Sequence, residues 1–262
     1  MNERYQTKGF IFKKDDRLEA DRLFSVFTED FGRIEILGRA IRKIASKLRG
    51  GIEVFSLSKI EFIQGKNYKT LTDAILIKKF SNIANDPGKT EIANKIINVL
   101  SNLINGQEKD EQIWNLLAET FEKINNCSMS VSRCSLIYYY FLWDFLSVLG
   151  YLPETYKCAA CRGELNSKDL YFSNKEGGAI CKDCLDSYNN VQKINQDAVK
   201  ILRIILKKDW KILSKLKIDD FSYDLFKKIS DDYYRYLLSC HSFNFTGGGI
   251  LRANLRESLK MI

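Results

Sequence analysis

Proline and histidine are the scarcest residues in this 262-residue sequence, with Pro87 and Pro153 the only prolines and His241 the only histidine. So few prolines, and no compositionally biased stretch, exclude proline-rich linkers and extended low-complexity segments. A single histidine leaves little room for histidine-based catalysis or a histidine-ligated metal. His241 lies beside Cys240, but the sequence supplies no further partner for such a site. Long apolar runs are also missing. The longest, Leu136 to Trp143, holds three tyrosines and stops at Asp144, far short of the roughly 20 residues that span a bilayer. Met1-Asn2-Glu3-Arg4-Tyr5 lacks the apolar stretch of a secretory signal, so a cytoplasmic location with no membrane association is expected. In that compartment the seven cysteines are not expected to form disulfides, and closely spaced pairs read first as metal ligands. No internal repeat is found.

Hydrophobic residues make up 45% and charged residues 28%, enough to bury a real core. The net charge is +8, and it is unevenly placed. Residues 1–80 carry 17 Lys/Arg against 11 Asp/Glu, whereas residues 81–262 carry 24 against 22. A polyanion would therefore be steered to the N-terminal third.

That third reads as β structure. Lys8–Phe12, Leu23–Thr28 and Arg33–Leu37 are short and rich in β-branched and aromatic residues, with Glu29-Asp30-Phe31-Gly32 a compact turn between the last two. Val54–Ile63 and Tyr68–Ile77 form a further pair around Gln64-Gly65-Lys66-Asn67. Five strands in about 80 residues suit a small closed barrel, with the OB-fold the leading candidate. Period-2 alternation places most of Phe10, Phe24, Phe27 and Phe31 in the barrel core.

From Pro87 the period becomes helical. Ile92, Ile96, Ile97, Leu100, Leu103 and Ile104 share one face; Ile113, Leu117, Phe121 and Ile124 share a second. Residues 131–149 predict a third helix, apolar almost all round and therefore central rather than a tyrosine platform for stacking bases. Helical spacing returns at Ala198–Leu206 and again at Leu225–Leu237. The class is α+β: a five-stranded OB-fold barrel over 1–80 and a helical domain over 81–245 carrying a cysteine-rich insert at 155–186. A tail of undetermined structure, 246–262, follows Gly247-Gly248-Gly249.

Two motifs carry chemistry. Cys158-x2-Cys161 and Cys181-x2-Cys184, 19 residues apart, give two knuckles whose four thiolates can close a tetrahedral S4 site, the usual form of structural zinc. With no ligand position left open, one Zn2+ would act as a staple. Cys127, Cys134 and Cys240 read as isolated, buried small hydrophobes. The second motif is Arg39, Arg42, Lys43, Lys47 and Arg49: five cations in 11 residues with no acid among them. A basic loop between barrel strands suits DNA binding, because neutralising phosphates releases counterions; a solvated loop is the plainer alternative. Enzymatic leads are weak. Gly88-Lys89-Thr90 lacks the earlier glycine of a phosphate loop, since that position is Ile83. Asp15-Asp16, Asp219-Asp220 and Asp231-Asp232 have no neighbouring histidine, so solvated surface is expected of them, and no catalytic residues are assigned.

The order of motifs resembles one family. Gly9-Phe10-Ile11-Phe12-Lys13, Phe27-Thr28-Glu29-Asp30-Phe31-Gly32-Arg33-Ile34 and the basic stretch ending at Ser46 look like the opening domain of RecO, bacterial DNA-repair recombination mediators. Leu149-Gly150-Tyr151-Leu152-Pro153, the two cysteine pairs, Phe172 and Gly177-Gly178 extend the resemblance to about residue 245. It implies an OB-fold, a helical domain and an inserted zinc ribbon. It also implies binding of single- and double-stranded DNA, strand annealing, contact with single-strand DNA-binding protein, and work with RecR in loading RecA. The residues alone reach only a basic barrel with a zinc-stapled helical domain. Another zinc-ribbon nucleic-acid binder without annealing activity, or a metal-dependent nuclease, would be the rival readings.

Overall fold

A computed structural model describes residues 3–104, 106–189 and 191–242; the tail at 246–262 and the side chain of His241 lie outside them. Five strands come first: β1 (Arg4–Arg17), β2 (Asp21–Thr28), β3 (Gly32–Gly38), β4 (Ser56–Gln64) and β5 (Lys69–Lys79). They pair in the order β1-β2-β3-β5-β4, and β4 returns to β1, which closes the ring as expected of an OB-fold barrel. All pairings are antiparallel except β3–β5, a short parallel one joining Ile36 and Leu37 to Lys69 and Thr70. The Phe31-Gly32 turn works because Gly32 adopts φ of 55°, a region that costs a side-chain-bearing residue energy. Thr28 donates to the Gly32 carbonyl at 2.8 Å and accepts from the Phe31 N–H at 3.0 Å, fastening that turn.

Ile11, Phe24, Val26, Ile34, Ile36, Ile60 and Phe62 fill the barrel. Of the four phenylalanines, most of them expected inside it, Phe24 and the half-buried Phe31 join this core, whereas Phe10 and Phe27 are buried on the other side of the sheet. Phe10 packs on Phe80, Trp114 and Phe121, with ring centroids 6.2, 4.8 and 5.5 Å away, and Phe27 packs on Phe12, which lies 5.9 Å from Phe121. Gly9, Phe10, Ile11 and Phe12 are consecutively buried because both faces of β1 are covered. Alternation alone identifies the inner face and says nothing about a helix covering the outer one.

Helices α1 (Ser81–Asn85), α2 (Pro87–Leu103), α3 (Glu111–Asn126) and α4 (Val131–Cys134) follow. Asp86 caps α2 by accepting from the N–H groups of Gly88 and Lys89, so the Gly88-Lys89-Thr90 stretch is a helix start. The helix expected over 131–149 is two: α4, then α5 (Leu136–Val148). Cys127 and Cys134, read from the sequence as unpaired hydrophobes, are joined in a disulfide, with Cα atoms 6.3 Å apart. The turn between α3 and α4 brings together two residues that no linear pattern pairs.

The described residues divide into two compact units between Cys134 and Ser135. In the second, α5 is buried from Leu136 to Leu146, including Tyr138, Tyr139 and Tyr140, as a central helix should be. Trp143 donates to Ser230 Oγ at 2.9 Å and stacks on Tyr233 at 5.3 Å; both rings meet Phe172 edge-on. Helices α6 (Gln196–Leu206), the short α7 (Trp210–Leu213) and α8 (Asp220–Ser242), which carries Tyr233, complete this unit's helices. Phe172 lies on β6 (Leu170–Ser173), which sits between β7 (Gly178–Ile180) and β8 (Val191–Ile194) in a three-stranded antiparallel sheet. Through Phe172 the cysteine-rich insert is anchored to the α5–α8 core.

Candidate metal centre and nucleic-acid interface

The insert's own apolar core is three buried residues, Cys158, Ile180 and Cys181, with seven half-buried neighbours, a small cluster of the size that small modules commonly supplement with a metal or disulfide. Four sulfur atoms converge beside this small core. Cys158, Cys161, Cys181 and Cys184 bring their Sγ atoms within 4.8 Å of one another. Cys158 and Cys184 are 3.9 Å apart, Cys161 and Cys181 3.8 Å. Four thiolates about 2.3 Å from a tetrahedral ion stand roughly 3.8 Å apart, so the donor set fits a metal ion.

Local backbone geometry builds each knuckle. The Arg162 N–H donates to the Cys158 carbonyl, and the Gly163 N–H approaches Cys161 Sγ at 3.4 Å. Arg162 turns the corner at φ of 65°. The Cys181 N–H donates to Cys158 Sγ at 3.4 Å, linking the two halves. Burial raises the Cys158 thiol, but backbone N–H groups of Cys161, Cys181 and Ala160 outweigh it and bring the group down to about 6. Interactions with the Cys181 and Cys161 thiols push Cys184 up to about 12, and burial raises Cys181. Four sulfurs this close repel one another once ionised, so full deprotonation requires a cation among them.

The basic stretch lies in the β3–β4 connection, a run of turns ending in a 3-10 helix, Lys47–Gly51. Arg39, Arg42, Lys43, Lys47 and Arg49 are all exposed. Arg42 meets Asp16 at 3.6 Å; among the described residues Arg39, Lys43, Lys47 and Arg49 have no ion-pair partner. The connection is nonetheless fixed. Ile41 and Ile52 enter the barrel core, the Arg42 N–H donates to the Ala20 carbonyl at 3.0 Å, and Asp21 accepts from the Ala40 N–H at 2.7 Å. Beside it opens a cleft of about 440 Å³ to which Lys14, Arg22, Arg49 and Lys79 contribute. Lys14, Arg22 and Lys79 are distant in sequence and escape a search for charge runs. Strand pairing assembles them: Lys14 lies opposite Phe24 on β2, and Lys79 opposite Ser56 on β4.

Gly51 sets the height of this loop. A Cβ there would lie 1.8 Å from the Ala74 carbonyl oxygen and 2.4 Å from its carbon. Gly51→Ala is expected to displace the 3-10 helix and cost on the order of 1–3 kcal/mol of stability. Thermal unfolding measures that loss, and DNA binding should fall with it because Lys47 and Arg49 ride on the same turn. An unchanged midpoint would show that Ala74 yields instead.

The acidic pairs have structural partners: Asp16 pairs with Arg22 and Arg42, the Asp219 side chain accepts from the Ser222 N–H, and Asp232 pairs with Arg235. No helix among the described residues is long and apolar enough to cross a membrane.

Fold and site together define a barrel protein with a basic loop and a four-cysteine module set into a helical unit. Residues 1–80 match the family described as Recombination protein O N terminal, and residues 84–242 match Recombination protein O C terminal. The chain belongs to the RecO family of DNA repair proteins. It is 32% identical over 215 residues to the DNA repair protein RecO of Dehalococcoides mccartyi, covering 82% of this chain and 83% of that one. It is 26% identical to the DNA repair protein RecO of Caldanaerobacter subterraneus over 230 residues, which is 88% of this chain and 91% of the relative. With the DNA repair protein RecO of Alkaliphilus metalliredigens it shares 25% identity over 241 residues, 91% of this chain and 96% of that one.

Proposed function

We propose that this chain is a recombination mediator that binds single- and double-stranded DNA through Arg39, Arg42, Lys43, Lys47 and Arg49. The observation that carries the reading is the exposed, largely unpaired run of cations on an ordered barrel loop, beside a cleft that adds Lys14, Arg22 and Lys79. An ordered loop loses little conformational freedom when it meets a phosphate backbone, and counterion release supplies the driving force. Holding two strands against one basic surface screens their mutual repulsion, the physical requirement for annealing. Residues 1–80 would be the nucleic-acid-binding domain and 81–245 the scaffold, with the ribbon at 155–186 stapled by one Zn2+; an all-sulfur tetrahedral set favours that ion. With RecR, the protein would help load RecA onto strands coated by single-strand DNA-binding protein, in the bacterial cytoplasm and at the nucleoid. It would do so without catalysis of its own.

Fluorescence anisotropy with single- and double-stranded oligonucleotides, in magnesium and with ATP present, tests this reading. Binding to both forms that weakens steeply with salt, with neither cleavage nor nucleotide hydrolysis, is expected. No binding at low salt would contradict the proposal. Cleavage abolished by one point substitution would establish an enzyme in its place.

A further inference from the structure

Two apolar side chains stand almost free in solvent beside the cations of the basic loop. Ile44 is 96% exposed and Leu18 89%, whereas Phe221, the next most exposed large hydrophobic of the described residues, reaches 69%. Single exposed aliphatics are ordinary on a protein surface. These two are not scattered. Leu18 opens the three-residue turn at 18–20 between β1 and β2, whose last ladder pair is Arg17 with Asp21. Ile44 lies in the β3–β4 connection, which hydrogen bonds tie to that turn. The Arg42 N–H donates to the Ala20 carbonyl at 3.0 Å, and Asp21 accepts from the Ala40 N–H at 2.7 Å. Each apolar residue is therefore two positions from the Ala20–Arg42 junction.

The backbone holds both side chains out. The Ser46 N–H donates to the Lys43 carbonyl at 3.0 Å, closing a turn with Ile44 and Ala45 at its apex. Leu18 adopts φ of 49°, a left-handed conformation that a bulky residue enters only at a cost. Asparagine or glycine would hold the position more cheaply, and the leucine side chain returns no burial for the strain. Strain of this kind collects at sites that meet a ligand.

The surroundings define what that ligand is. Residues 13–22 and 39–49 hold nine Lys/Arg against four acids, all four in the β1–β2 hairpin. Asp15 pairs with Lys13, Asp16 with Arg22 and Arg42, and Asp21 receives the Ala40 N–H, which leaves Glu19 exposed beside Leu18. The excess of five positive charges therefore belongs to the β3–β4 connection. A ligand that suits both the cations and the two tips is an anion with apolar faces to enter between. DNA has phosphates and stacked bases. Residues 18–20 and 39–51 contain no aromatic side chain, so these loops offer no ring for a base to stack on. Leucine and isoleucine act instead as wedges at base steps.

We propose that Leu18 and Ile44 insert between neighbouring bases of DNA whose phosphates lie on Arg39, Lys43, Lys47 and Arg49, forcing those bases out of stack. The proposal rests on the DNA-binding reading above and adds to it a contact that salt does not screen. Bases parted in this way keep their pairing edges free for a complementary strand.

The test uses the full chain and a single-stranded oligonucleotide carrying 2-aminopurine, which brightens when unstacked, with affinity measured across a salt series. Wild-type binding should raise the fluorescence. Leu18→Asn combined with Ile44→Ser should weaken binding by about tenfold and abolish the rise. The slope of log affinity against log salt should keep its wild-type value, because every cation remains. The unfolding temperature should not fall, since both side chains are exposed and asparagine tolerates the left-handed region. Ile44→Ser alone should lose part of each signal, and Leu18→Met with Ile44→Leu should retain both. A double variant with wild-type affinity and brightening, or a wild type that binds without brightening, overturns the inference while the basic-loop reading stands. Unchanged DNA signals in a double variant that has lost binding to anionic phospholipid vesicles, or has lost self-association, would overturn it in favour of a lipid surface or a second copy. If the wild type binds no strand at all, this inference and the DNA-binding reading fall together.

Discussion

Replacing Cys158 or Cys181 with serine is expected to take the bound metal from about one ion per chain to nearly none and to lower the unfolding temperature by on the order of 10 °C. Both residues are buried, with Cys158 fully inaccessible, and the Cys181 N–H donates to the Cys158 sulfur. Removing either sulfur therefore takes away a ligand and a link between the knuckles. The effect is large because so few apolar residues support the insert, and because Phe172, in the same sheet, packs on Trp143 and Tyr233 in the helical core. Chelation should have the same result in the wild type and none in the variant. Elemental analysis of protein purified without chelators checks the premise: less than about 0.2 ion per chain would rule out a metal staple.

The second large effect concerns DNA. Converting Arg39, Arg42, Lys43 and Lys47 together to alanine should weaken single-strand binding by on the order of 10–100-fold near physiological salt, with little dependence on sequence. The plot of log affinity against log salt should flatten by roughly 0.7 for each phosphate left unneutralised, and so by up to about 3 for four. Folding should persist, because all four side chains are exposed and the one ion pair removed, Arg42 to Asp16, is a surface pair. Asp16 retains Arg22 at 2.6 Å. The matched control is Lys207 and Lys211 to alanine, both exposed and on the helical unit. Lys208 is unsuitable because its amine sits 2.7 Å from the carboxylate of Asp144, which is only 6% exposed. A quadruple variant with the wild-type slope, alongside a control with a flattened one, would move the DNA path to the helical unit.

Much of this was legible in the sequence because the signals are local. Five β-rich segments, the Asp86-Pro87 helix start and the apolar faces of α2, α3, α6 and α8 each lie within one short window, where period and capping act. The four cysteines announced themselves by spacing, and the basic loop by its lack of acids. What escaped depends on residues far apart. The burial of Phe10 and Phe12 under α3, the disulfide between Cys127 and Cys134, and the meeting of Lys14, Arg22 and Lys79 at one cleft arise only when strands pair and helices fold back.

Annealing on protein-coated DNA bears most directly on the claim that this is a mediator and not merely a basic zinc-ribbon protein. Complementary strands would first be saturated with single-strand DNA-binding protein, which blocks spontaneous pairing, and duplex formation followed after adding the purified chain. The wild type should accelerate pairing well above the coated strands alone, and the quadruple loop variant should lose most of that acceleration. A wild-type chain that binds these strands yet leaves their pairing rate at the background value would contradict the account.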